Sequence, residues 1–109
     1  MAATENEPVH EPAASRPDLL IRTVTIVNLR GLHARAAARF VVMAERFSTP
    51  VDVSRDGQVV SARSIMGLMM LGAGRGASIT LQAEADGWDA QEALDALATL
   101  VEAGFDEQD

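Results

Sequence analysis

The dipeptide Asp56-Gly57 limits the fold of this chain more than any other feature. It lies between two short alternating runs, Val51 to Arg55 and Gln58 to Ala62. Asp-Gly in that setting signals a two-residue hairpin, because both central turn positions favour positive φ. A hairpin in mid-chain makes at least part of the sheet antiparallel. The flanking segments then decide what covers that sheet.

Upstream, residues 20–28 are rich in β-branched side chains and predict a first strand. A loop from Leu29 to Leu32 follows. Ala37, Phe40, Val41, Ala44 and Phe47 recur at helical spacing, which predicts a helix over 34–47. Pro50 bars its continuation. Downstream, Ser64 through Leu71 reads as a short helix with Ser64 at its N-cap and Gly72 as its stop. Ser78 to Ala85 alternates, placing Ile79, Leu81, Ala83 and Ala85 on one face. Asp89 with Glu92 opens a last helix in capping-box style, with Ala90, Ala93, Leu94, Leu97 and Val101 as its apolar face and Gly104 at its end. The order β-α-β-β-α-β-α predicts an α+β fold with its helices on one face of the sheet.

The chain has 109 residues, the size of one domain. Aromatic residues make up only 4%, so the core must come from Val, Ile, Leu, Met and Ala. The absence of cysteine excludes disulfides, a thiolate nucleophile and cysteine-held metal. No run of about 18 apolar residues suggests a membrane span, and the N-terminus does not resemble a secretory signal, so a cytoplasmic protein is expected. Residues 1–18, with Pro8, Pro12 and Pro17 and few large apolar side chains, predict a disordered acidic tail; the folded domain is expected over 19–109.

The net charge of −7 argues against a nucleic-acid partner. It is unevenly spread. Residues 19–88 hold eight Arg against five acids, whereas residues 89–109 hold seven acids and no base. A basic segment beside an acidic end favours negatively charged ligands or acidic protein patches.

That basic segment contains Gly31-Leu32-His33-Ala34-Arg35-Ala36-Ala37. Here a glycine turn delivers a histidine to a predicted helix start. The unpaired N–H groups of a helix N-terminus bind anions, and arginine adds charge-assisted contacts to phosphate oxygens. A neutral imidazole is a competent nucleophile toward phosphorus, and the helix dipole would stabilise the attached phosphoryl group. His33 is therefore the candidate phosphoryl acceptor and Arg35 its candidate stabiliser. No metal is required. His10, in the tail, has no such setting.

Ser64 has two readings, as a helix N-cap and as a phosphorylation site inside an apolar patch. The run Ile65, Met66, Leu68, Met69, Met70, Leu71 exceeds what one short helix can bury, so part of it is expected to be core and part an adaptable docking surface. Gly72 to Gly76 lacks the lysine and Ser/Thr of a phosphate loop and precedes a strand, which makes it a connector.

Together, Gly31-Leu32-His33-Ala34-Arg35 and Arg63-Ser64-Ile65-Met66-Gly67-Leu68-Met69-Met70-Leu71-Gly72 resemble the two signature segments of the HPr family, histidine phosphocarriers of the bacterial phosphoenolpyruvate-dependent phosphotransferase system. The resemblance spans residues 20 to about 104. It implies an open-faced sandwich of four antiparallel strands covered by three helices. It also implies that His33 accepts a phosphoryl group at Nδ1 from phospho-enzyme I and passes it to an enzyme IIA. Arg35 would support the phosphohistidine. Ser64 matches the position that a dedicated HPr kinase phosphorylates in some members, and Ile65, Met66 and Met69 would belong to the partner-docking surface. No cofactor is implied, and a monomer is expected.

The chain departs from the family pattern in three places. Ala36 stands where members usually carry proline. Val42 and Glu45 stand where lysines are expected on the first helix. The acidic tail is additional. These departures tilt the resemblance toward the regulatory, nitrogen-type branch. Two functional classes follow: a covalent phosphoryl carrier, or a non-catalytic binding regulator switched by its phosphorylation state. A turnover enzyme lacks an assembled site, with no nucleophile–base–acid triad, metal-ligand spacing or dinucleotide fingerprint.

Overall fold

The computed structural model describes residues 18–107. The expected tail therefore lies outside the described residues, apart from Asp18. Strands β1 (Leu19–Thr25), β2 (Asp52–Arg55), β3 (Gln58–Ser61) and β4 (Ser78–Glu84) form one sheet in the order β1-β4-β2-β3. Every neighbouring pair is antiparallel. Helices α1 (Ala34–Ala44), α2 (Ile65–Met70) and α3 (Ala90–Glu102) interleave with the strands, and a 3₁₀ turn (Gly104–Asp106) follows α3. This is the α+β open-faced sandwich expected from the sequence.

The pleat explains which face is covered. Val24 pairs with Ile79, and Val53 pairs with both Leu81 and Val60. Directly opposed residues share a face, so these side chains form one apolar layer. Val24, Val53, Ile79 and Leu81 are buried there against Phe40, Leu68, Leu94, Leu97 and Val101 of the helices. On the other face Thr23 and Thr80 bring their hydroxyls to 3.3 Å. Arg22 lies on the edge strand, level with Leu81, and reaches Asp95 of α3 at 2.8 Å.

The ends of β1, α1 and β4 and one cap differ from the sequence reading, each for a physical reason. β1 ends at Thr25 instead of running to residue 28, because the next residue, Ile26, bonds Ala77 and the positive-φ Gly76 (φ +89°) of the loop before β4 out of the regular ladder. α1 ends at Ala44 instead of running to residue 47. The chain beyond it is held by Asp89, whose carboxylate accepts from the amides of Ser48 (2.7 Å) and Thr49 (3.0 Å) and from the Thr49 hydroxyl (2.5 Å). The same contacts correct the capping-box reading. Asp89 stands at the N-cap of α3 but makes no side-chain cap bond to its own helix. Finally, β4 stops at Glu84, so Ala85 is exposed and does not extend the buried face. Its N–H instead bonds the Asp18 carbonyl.

Candidate phosphoryl-acceptor site

His33 is placed by its neighbours in sequence and by a loop far from it. Gly31 adopts φ +69°. A β-carbon there would stand 2.7 Å from the Ala73 carbonyl oxygen and 2.8 Å from Gly74 Cα. Glycine thus lets the two loops touch through backbone. Leu32, buried, seals the contact by donating its N–H to the Ala73 carbonyl at 2.9 Å. The next residue, His33, is the N-cap of α1, with extended backbone (φ −80°, ψ 179°).

Its imidazole makes no cap bond to the helix. The first helical hydrogen bond runs from the Ala37 N–H to the His33 carbonyl (2.8 Å), so the amides of Ala34, Arg35 and Ala36 head the helix ahead of it. Those amides are the donor set that favours an anion. The ring is largely covered, its side chain 17% exposed.

The sequence reading missed the group that covers it. After Gly104 (φ +67°), Phe105 and Asp106 also take left-handed conformations (φ 57° and 61°). For non-glycine residues this costs on the order of 1–3 kcal/mol each. Complete burial of the Phe105 ring offsets it, and Arg39 donates to the Phe105 carbonyl at 2.5 Å. The turn swings the chain back across the start of α1, where the Glu107 carboxylate meets His33 Nε2. The other carboxylate oxygen accepts from Asn28 Nδ2 at 2.9 Å. Asn28 is buried and also donates to the Gly31 carbonyl at 2.8 Å. Both of its partners are acceptors, so the amide can be oriented only one way; its Oδ1 is buried without a hydrogen bond among the described residues. Burial pushes the Glu107 pKa up. Hydrogen bonds from Asn28 and His33, and the charges of His33 and Arg30, outweigh that and hold the carboxyl below its ordinary value. No sequence motif marks Glu107, because its partners lie 74 and 79 residues away.

Arg35 is in the first turn of α1 and exposed. Among the described residues no hydrogen bond or ion pair joins it to His33 or Glu107. It lines an open groove of ≈ 420 Å³ with Arg39, Arg46 and Asp106. Its place near the helix start thus matches the sequence reading, whereas contact with the imidazole is not made.

Ser64 is the N-cap of α2, and its Oγ accepts from the Gly67 N–H at 2.9 Å. The helix divides its apolar run as amphipathicity requires. Leu68 is fully buried, whereas Ile65, Met66, Met69 and Met70 are exposed, Met66 at 73%. α2 is held at both ends by arginines: Arg55 donates to the Leu71 carbonyl (2.9 Å), and Arg63, just before the Ser64 cap, to the Phe47 carbonyl in the segment after α1 (2.5 Å). Among the described residues no cluster of His, Asp and Glu could hold a metal ion, and no helix is long and apolar enough to cross a membrane.

Residues 20–103 match the family model described as the PTS HPr component phosphorylation site. The chain is 51% identical over 89 residues to a phosphocarrier protein HPr from Cupriavidus necator, covering 82% of this chain and 98% of that one. It is 46% identical over 88 residues to a phosphocarrier protein NPr from Shewanella violacea, covering 81% and 94%. Among solved structures it resembles HPr-C-His from Thermoanaerobacter tengcongensis, with TM-score 0.75, 45% identity, and 82% and 98% coverage.

Proposed function

Because the chain belongs to the HPr family of phosphotransferase-system phosphocarriers, we propose that His33 accepts a phosphoryl group from phospho-enzyme I and passes it to an enzyme IIA. One observation supports this most. His33 is the N-cap residue of α1, yet its ring makes no cap bond, so the leading amides of the helix are available to phosphoryl oxygens. Arg35, one helical position beyond Ala34, supplies an exposed guanidinium for the phosphoryl oxygens once they arrive. The chain is a covalent relay and has no turnover of its own.

Docking belongs to α2. Ile65, Met66 and Met69 present an exposed, adaptable apolar surface, and polarizable methionines suit several partners in succession. Ser64 caps the helix beneath that surface. A phosphoryl group on its Oγ replaces the cap acceptor with a dianion, which the helix end tolerates but an apolar partner surface does not. Ser64 is thus the regulatory position, with an HPr kinase as the partner that would use it. The exposed Val42 on α1 and Glu45 at its C-cap support the nitrogen-type branch, because they leave less positive charge along the helix that starts at His33.

Incubation with phosphoenolpyruvate and enzyme I should add one phosphoryl mass to the chain. The His33→Ala chain should fold and gain none. Equal phosphorylation of the variant would refute the assignment. A binding regulator is the second reading, favoured if a partner binds in dependence on phospho-Ser64 and indifferently to His33→Ala.

A further inference from the structure

The contact between Glu107 and His33 does more than fill space. Glu107 Oε2 faces Nε2, while Oε1 is held by the buried Asn28 amide. A carboxylate is an acceptor only, so in the neutral ring the proton must sit on Nε2. We propose that Glu107 is a positioning residue for His33: it fixes the tautomer that leaves Nδ1 as the nucleophile and holds the ring's charge once Nδ1 carries the phosphoryl group. The proposal rests on His33 being the acceptor.

The step balances without a further reactant. The Nδ1 lone pair attacks phosphorus. The bond from phosphorus to the donor's leaving group breaks, and its electron pair goes to that group. The Nε2 proton stays on His33, so the phosphorylated ring is cationic, opposite the Glu107 carboxylate. Such a ring is a good leaving group, which keeps the phosphoryl group transferable to the next acceptor. Carboxylate–imidazole pairs orient nucleophilic and metal-bound histidines in the same way.

The local charges support a carboxylate that stays ionised. Arg30 acts on Glu107 from the loop before α1, and Asn28 donates from below. Arg35 and Arg39 are the cations of the first turns of α1, and Asp106 is the one neighbouring acid in the C-terminal turn. The segment that carries Glu107 is anchored independently of it, by the buried Phe105 ring and the Arg39 contact. Changing Glu107 therefore leaves the fold standing.

Glu107→Gln is the informative variant. Its side chain has one oxygen for two donors. If Asn28 keeps that oxygen, the introduced amide NH₂ faces Nε2 and donates to it, which moves the ring proton to Nδ1 and blocks the nucleophile. ¹⁵N spectra of ring-labelled His33 in the unphosphorylated chain read the tautomer directly. The intact chain should show Nε2–H, and the variant should lose that preference. Rapid-mixing phosphorylation by enzyme I should then slow by about tenfold or more, with an unchanged KM for enzyme I, as expected when a histidine loses its orienting carboxylate. An unchanged ¹⁵N signature in both Glu107→Gln and Glu107→Ala, which has no acceptor for Nε2–H, overturns the proposal, as does a changed signature with an unchanged rate. If the intact chain takes no phosphoryl group while its ring is in the Nε2–H form, the carrier reading fails on its own.

Discussion

Replacing Gly31 by alanine tests how the acceptor loop is held. Two costs are separable. Alanine at φ +69° pays the left-handed penalty of about 1–2 kcal/mol. The stiffer unfolded chain returns about 0.4–1 kcal/mol. Gly57, at φ +84° with open space around its β-carbon position, carries those two terms alone, so Gly57→Ala should cost about 1 kcal/mol. At Gly31 the new methyl meets backbone atoms of Ala73 and Gly74, which cannot swing aside. The loops must part, at an overpacking cost of about 1–3 kcal/mol. The hydrogen bond from Leu32 to Ala73 weakens with them, adding about 1 kcal/mol. Gly31→Ala should therefore cost about 3–5 kcal/mol, at least 2 kcal/mol more than Gly57→Ala. In a domain of this size that gap is a melting-temperature difference of about 8–16 °C. Urea unfolding and calorimetry of both variants measure it. Equal costs at the two positions would refute the idea that loop-to-loop backbone contact places His33.

Three further outcomes follow from the same structure. Leu68→Ala, in the core, should cost about 2–5 kcal/mol by urea unfolding, whereas Met66→Ala should stay within about 0.5 kcal/mol and instead weaken enzyme I binding in titration calorimetry. Ser64→Ala should lose about 1 kcal/mol with the cap, while Ser64→Asp should weaken enzyme I docking; equal docking by wild type and Ser64→Asp would remove α2 from the interface. The hydroxyl of Thr49, then the Ser48 and Thr49 amides, hold the Asp89 pKa below its ordinary value against the effect of burial. A depressed folded-state pKa stabilises the fold above the unfolded value and is lost as pH falls through the folded one. Stability should thus decline below about pH 4, and Asp89→Asn should flatten that decline in acid titrations followed by circular dichroism.

The elements were legible because each carries a local signal. Asp56-Gly57 sets the hairpin, Ser64 caps α2, and Gly104 ends α3 with positive φ. His33 was legible for the same reason, since a glycine, a histidine and a helix start lie within three residues. What the sequence concealed is tertiary. Asp89 looks like a cap for the helix it precedes, yet its oxygens are claimed by Ser48 and Thr49, which a folded chain brings closer than its own helical amides. Glu107 belongs to an unremarkable acidic end. It becomes part of the site only because two non-glycine residues accept left-handed conformations to bring it round. The methionine run fell between these cases. Its division into the buried Leu68 and exposed Met66 and Met69 follows from helical period once the sheet is in place.

As a carrier, the chain would receive a phosphoryl group and give it up at the same imidazole, that of His33. The most direct measurement starts from the chain labelled by phosphoenolpyruvate and enzyme I, then freed of both. An enzyme IIA is added and the label is followed. Loss of label to the acceptor much faster than spontaneous hydrolysis, with return of the chain to its unphosphorylated mass, is the predicted result. Label that stays on the chain at the hydrolysis rate, with a folded and active acceptor present, would contradict the carrier account and leave His33 as a regulatory mark.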